Sequence, residues 1–137
     1  MIRRILMLAA GATAIVAAAA ASGEAATTEN FQVKNTQDLV ELCAVQRGDP
    51  VAQQAIHFCE GYLIGVYHYH QALTTGRGQA PVFCPTGALP TRDQAVGMFV
   101  TWARANPQRM DEPAIDGLFR WATETWPCPR GARRTTR

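Results

Sequence analysis

The chain has 137 residues, of which 47% are hydrophobic, with 13 Lys+Arg against 11 Asp+Glu and a formal net charge of +2. That length suits one domain with one modest core. So even a charge balance excludes nucleic acid as an electrostatic partner, since that needs a strongly basic stripe.

Met1-Ile2-Arg3-Arg4 is a cationic start, Ile5 to Ala21 is an apolar run rich in alanine, and Ser22-Gly23-Glu24-Ala25-Ala26 are mostly small. Charge, apolar core and small-residue zone, in that order, make a secretory signal peptide. At about 17 residues of weakly apolar alanine, the run is at the lower limit for a membrane span. The order therefore predicts a signal peptide over 1–26, cleaved between Ala21 and Ala26, a domain over 27–129, and an exported chain with no membrane attachment afterwards. Loss of Arg3, Arg4 and Glu24 leaves 11 Lys+Arg against 10 Asp+Glu, a net charge of +1. Residues 130–137 carry Arg130, Arg133, Arg134 and Arg137 and read as a disordered basic tail.

After a polar lead-in with Phe31 and Val33 as anchors, Thr36 is an N-cap candidate, and Leu39, Leu42 and Cys43 keep helical spacing up to Gly48. This predicts a first helix over 36–47. Asp49-Pro50 restarts a helix, with the carboxylate as cap and proline in the first turn. Ile56, Cys59, Leu63, Val66 and Leu73 then form one stripe of a long helix over 50–74, and Tyr62, Gly65 and Tyr69 form a second face. An apolar pattern on two faces is that of a central helix covered on both sides. The segment 76–90 holds Gly76, Gly78, Pro81, Pro85, Gly87 and Pro90 and reads as a long loop pinned by Cys84. Thr91 followed by Gln94 matches a capping box, and Val96, Phe99, Val100 and Ala103 continue a third helix over 91–105. Asn106-Pro107 ends it and starts a one-turn segment. Asp111-Glu112-Pro113 opens a fourth helix, with Ile115, Leu118, Phe119, Ala122 and Trp126 as its stripe and Pro127-Cys128-Pro129 as its stop. No stretch alternates with period two. The fold class is therefore all-α: a small bundle of four helices plus a short turn, stapled by disulfides.

An even number of cysteines in a small exported chain reads as a disulfide framework. Cys43, Cys59, Cys84 and Cys128 lack the close spacing of a structural zinc site, and an oxidising compartment would trap a catalytic thiol. The third and fourth helices, joined by about six residues, form an antiparallel hairpin. That brings Cys84, just before one, beside Cys128, just after the other, and leaves Cys43 to pair with Cys59. The last two lie at unequal distances from Gly48-Asp49-Pro50, so one helix must slip along the other or start late.

Catalytic groups are few. His57, His68 and His70 share one helix, and residues two apart on a helix point about 200° from each other, so His68 and His70 cannot chelate one ion; the three read as surface or partly buried imidazoles. No serine follows Ser22, and Asp49, Asp93, Asp111 and Glu112 are accounted for as caps. The pattern predicts no enzyme, metal or cofactor. It does predict a surplus of aromatics, since Tyr67, Tyr69, Trp102, Trp121 and Trp126 exceed what one small core can hold; Trp and Tyr are interface anchors. The loop is the candidate partner-binding element. Arg77, Gln79, Val82 and Phe83 are the side chains placed to reach out, with Arg92 at its exit.

Cys59-Glu60-Gly61-Tyr62-Leu63-Ile64-Gly65 resembles the C-x-G-Y-[IL]-x-G signature of the Rap/Tai immunity proteins, the antidotes of type VI secretion systems. Leu39-Val40-Glu41-Leu42-Cys43 is similar to that family's first helix, Phe83-Cys84-Pro85 to its mid-chain loop, Thr91 to Gln94 to its third-helix start, and Trp126-Pro127-Cys128 to its ending. Asn106-Pro107 stands where His-Pro is common in the family. Tyr67-His68 stand where an acidic residue is frequent, and the loop before Thr91 is about one residue short; both departures bear on which toxin is recognised. The resemblance spans about 31–128. It implies a periplasmic, all-helical, often homodimeric protein that binds and blocks a cognate secreted toxin, a peptidoglycan amidase. Two other readings suit a small exported disulfide-bonded helical chain: a periplasmic acid-stress chaperone, for which the single mature lysine, Lys34, is too few, and a diverged envelope protein of the same fold.

Overall fold

A computed structural model describes residues 25–75 and 79–129. The expected signal peptide, up to Glu24, and the expected basic tail, 130–137, lie outside the described residues, as does Arg77. Four helices follow one another: α1 Thr36–Cys43, α2 Ala52–Thr74, α3 Arg92–Ala105 and α4 Ala114–Thr125. Short 3-10 turns at Thr28–Gln32 and Pro107–Arg109 accompany them, and no strand occurs among the described residues. Both disulfides pair as the hairpin topology predicts, Cys43 with Cys59 at a Cα separation of 5.2 Å and Cys84 with Cys128 at 4.8 Å.

The start of α1 sits one residue earlier in its cap than the sequence pattern suggests. Asn35 is the N-cap, its side-chain oxygen accepting from the Asp38 N–H at 2.9 Å. Thr36 is instead fully buried. Its N–H and hydroxyl both donate to the Glu112 carbonyl, at 2.8 and 3.1 Å, and the Gln37 N–H donates to the Met110 carbonyl at 3.0 Å. Two of the first-turn N–H groups that every helix leaves unpaired are thereby satisfied by the chain entering α4. Glu112 itself holds Arg109 and Arg120, at 2.6 and 3.1 Å.

α1 stops at Cys43, not 47, and α2 begins at Ala52, not 50. The cause is Asp49. Its carboxylate accepts from the Gln46 N–H at 3.0 Å, closing a turn backwards over 46–49 instead of capping α2. Asx side chains compete with helix starts in this way. Cys43 is the last residue of α1 and Cys59 the eighth of α2, so their spacing from the turn stays unequal, and the connection over 44–51 takes up the difference.

α3 starts as its sequence predicts. Thr91 accepts from the Gln94 N–H at 3.3 Å and the Gln94 side chain accepts from the Thr91 N–H at 2.9 Å, the reciprocal capping box. The main core gathers Leu39, Leu63, Phe99, Leu118 and Trp121 around the Cys43–Cys59 bridge. Phe99 meets Trp121 edge-on at 5.5 Å, and Trp121 meets Trp126 at 5.2 Å, arrangements that aromatic quadrupoles favour. A smaller cluster joins Ala26, Leu42 and Ala55, with Phe31 set edge-on to Phe58 at 5.4 Å. The lead-in is thus a structured part of the domain: Asn30 is buried and donates to Asp38 and Glu41 at 3.0 and 2.6 Å. Ala26, placed in the signal peptide by its sequence, packs against this cluster at 7% exposure.

Candidate functional site

The segment between α2 and α3 departs from Thr75, returns at Gln79 and reaches α3 through Pro90 and Thr91. It is anchored at four successive points. The Gln79 N–H donates to the Leu73 carbonyl at 2.6 Å. The Val82 N–H donates to His70 Nε2 at 3.2 Å. Phe83 is inserted at 3% exposure, and the Cys84 N–H donates to the Trp126 carbonyl at 2.8 Å beside the Cys84–Cys128 bridge. Gly87 turns the chain with a φ of 77°, a conformation that favours glycine.

Phe83 corrects one expectation. It cannot reach out to a partner, because it is the plug that seats the loop. Its ring stacks on the His70 imidazole at a centroid distance of 3.9 Å and meets Phe119 at 6.0 Å and Trp126 at 6.4 Å. Of the other side chains assigned to partner binding, Gln79 and Arg92 are exposed and Val82 is 43% exposed, while Arg77 lies outside the described residues. The three described ones do not form one patch. Val82 borders a shallow depression with Phe119, Asp116, Arg120 and Glu124 from the α4 side. Arg92 instead lines a separate apolar cleft of about 120 Å³, together with Leu63, Tyr67, Leu89, Trp121 and Trp126.

His70 is the residue that sequence reasoning undervalued. It is 7% exposed, and burial pulls its pKa below the ordinary 6.5, so near neutral pH it is an uncharged imidazole whose Nε2 serves as an acceptor. The signal was present in the helix spacing. The stripe Cys59, Leu63, Val66 continues by four to His70, not by seven to Leu73, which is 38% exposed. His57 and His68 are surface residues as read, with His57 3.9 Å from Glu60. Among the described residues no three His, Cys, Asp or Glu side chains come together as metal ligands, and no helix is long and apolar enough to cross a membrane.

The expected aromatic surplus divides. Trp121 is buried and Trp102, Tyr67 and Trp126 are half-buried, the Trp102 indole donating to Glu124 at 2.6 Å. Tyr69 is 63% exposed on an α2 face where Gly61 and Gly65 have open space at the position of a Cβ. One face of α2 is therefore uncovered among the described residues.

No curated protein and no solved structure gives a significant match to the chain. A family model described as Rap1a immunity proteins matches residues 35–128. The matched stretch runs from the N-cap of α1 to the last cysteine, and so takes in all four helices, both bridges and the anchored loop. The chain belongs to the Rap1a immunity protein family.

Proposed function

We propose that this chain is a periplasmic immunity protein that neutralises, by binding and without catalysis of its own, a type VI secretion effector of the peptidoglycan amidase class. Family membership and two disulfides in a small chain with a signal-like N-terminus support export and an effector partner. The observation that carries the binding mode is the loop. With Phe83 inserted, Cys84 bridged to Cys128 and Val82 tied to His70, it holds Gln79 and Val82 outward with little conformational freedom left to lose. A preordered surface binds more tightly than one that must be ordered on contact. In this reading Val82 is the apolar centre of the contact, the charged side chains of α4 around it form the rim, and Arg92 makes a separate contact at the cleft.

The test is protection of cells, and capture of the amidase, by two variants. Gln79→Ala with Val82→Asp should lower affinity by roughly tenfold or more, as expected for a central interface position, with an unchanged circular dichroism spectrum. Truncation after Pro129 should leave protection intact. Protection abolished by truncation but retained by the folded loop variant would overturn the assignment of the loop.

A second copy of the chain is the occupant proposed for the uncovered face of α2. Two α2 helices crossing antiparallel at Gly65 would bring Tyr69 of each opposite Gly61 of the other, a side chain facing an open position.

A further inference from the structure

The loop is fastened to α2 by a group that changes sign as a hydrogen-bond partner within an ordinary pH range. Neutral imidazole offers one acceptor nitrogen, whereas imidazolium has two donors and none. His70 uses its acceptor, Nε2, on the Val82 N–H at 3.2 Å. A proton added at Nε2 takes up the lone pair that this bond requires and sets two donors against each other. The face of Phe83, stacked at 3.9 Å, attracts a cation and offsets part of the cost, but it cannot return an acceptor to Val82.

We propose that His70 and Val82 form a proton-operated latch, in which protonation of His70 breaks its bond to the Val82 N–H and loosens the loop at that point, while the Gln79–Leu73 bond, the seated Phe83 ring and the Cys84–Cys128 bridge keep the loop attached. This rests on the reading that the loop meets the effector, and it makes that contact dependent on acidity. The elements against His70 bring little compensating charge. The described loop residues 79–85 carry no ionisable side chain, and from α4 the packed group is Phe119, at 6.4 Å. The charged residues beyond it, around Val82, are Glu112, Asp116, Arg120 and Glu124. Of these, Glu112 is bound to Arg109 and Arg120, and Glu124 accepts from Trp102. On α2 itself the neighbouring side chains are Tyr67, His68, Gln71 and Thr74, none of them a carboxylate. Burial of the imidazole, which pulls its pKa down, agrees with the absence of an anionic partner among the described residues.

The experiment is NMR on the disulfide-bonded mature protein from pH 7.5 to 4.5, following the His70 ring signals and the amide exchange of Val82, corrected for intrinsic pH dependence. The expected result is a fall of roughly tenfold in Val82 protection, the effect of one buried hydrogen bond, at the midpoint of the His70 titration. Amides of α1 and the first half of α2 should stay protected. His70→Gln, whose carbonyl can accept without titrating, should keep Val82 protection constant, and His57→Gln should behave like the unaltered chain. Val82 protection that does not change as His70 titrates overturns the latch, as does a loss spread equally over α1 and α2. Should His70→Gln fail to fold, the coincidence of the two midpoints in the unaltered chain decides alone. A latch seen by NMR in a protein that captures no effector at any pH would overturn the proposed function and leave the latch standing.

Discussion

At the scale of single residues, Gly117 shows how a position can contradict its own helix propensity. It lies inside α4, where alanine is ordinarily better by about 1 kcal/mol. A Cβ there would run into the Thr36 side chain, which is fully buried and tied to the Glu112 carbonyl. Gly117→Ala should therefore destabilise the protein by roughly 1–3 kcal/mol, the usual cost of overpacking. Gly97→Ala, in α3 with open space around it, should gain up to about 1 kcal/mol. Urea unfolding of the two variants separates packing from propensity, and equal effects would refute the contact with Thr36. Acidity acts through two other residues. The pKa of His70 is lowered on folding, so below about 6.5 the unfolded chain takes up the proton first. Its contribution is complete above that value and is lost as pH falls through the lower folded value. The Glu112 carboxyl is held below the ordinary 4.5 by hydrogen bonds from Arg109 and Arg120, so its contribution is present above 4.5 and lost beneath it. Melting temperature should accordingly decline in two stages on acidification, the first absent in His70→Gln and the second weakened in Glu112→Gln. A single decline common to all three proteins would contradict this.

At the scale of elements, the helices differ in how locally they are specified. α3 is legible because a capping box lies within four residues of sequence and needs no tertiary partner. The ends of α1 and α2 are not, because Asp49 has two uses open to it and the fold takes the one facing Gln46. The outer face of α2 carries the third prediction. Tyr69 is 63% exposed and a Cβ at Gly65 meets nothing within 4 Å, so Tyr69→Lys should change stability by no more than about 0.5 kcal/mol, and Gly65→Leu, which replaces a glycine inside α2, should gain up to about 1 kcal/mol. In sedimentation analysis both should shift a dimer to monomer. A native protein that sediments as a monomer at every concentration would remove the proposed pairing.

At the scale of the whole molecule, the bridges join elements that lie 16 and 44 residues apart in sequence. Chain-entropy reasoning assigns them about 3 and about 4 kcal/mol, a large part of the 5–15 kcal/mol typical of a domain. Replacing Cys84 and Cys128 by alanine should lower stability by about 2–5 kcal/mol. Because the loop would lose its central anchor, it should also weaken effector capture at temperatures where the helices remain folded. Replacing Cys43 and Cys59 should lower stability similarly with less effect on capture. Equal loss of capture in both pairs would mean that stability alone, not the loop, governs binding.

Helical periodicity, the even cysteine count and the short turn between α3 and α4 determined by themselves that the chain is an all-helical bundle with Cys43 joined to Cys59 and Cys84 to Cys128. These are properties of spacing along the chain, and spacing is what a sequence states directly. Which way a loop side chain points is set instead by competition among distant surfaces for the same apolar group. Phe83 was legible as a loop aromatic but not as a plug, since its seat is built from His70, Phe119 and Trp126, which only the packing of the loop between α2 and the end of α4 brings together. The same packing buried His70, left Val82 exposed, and set Val82 and Arg92 on two different depressions of the surface.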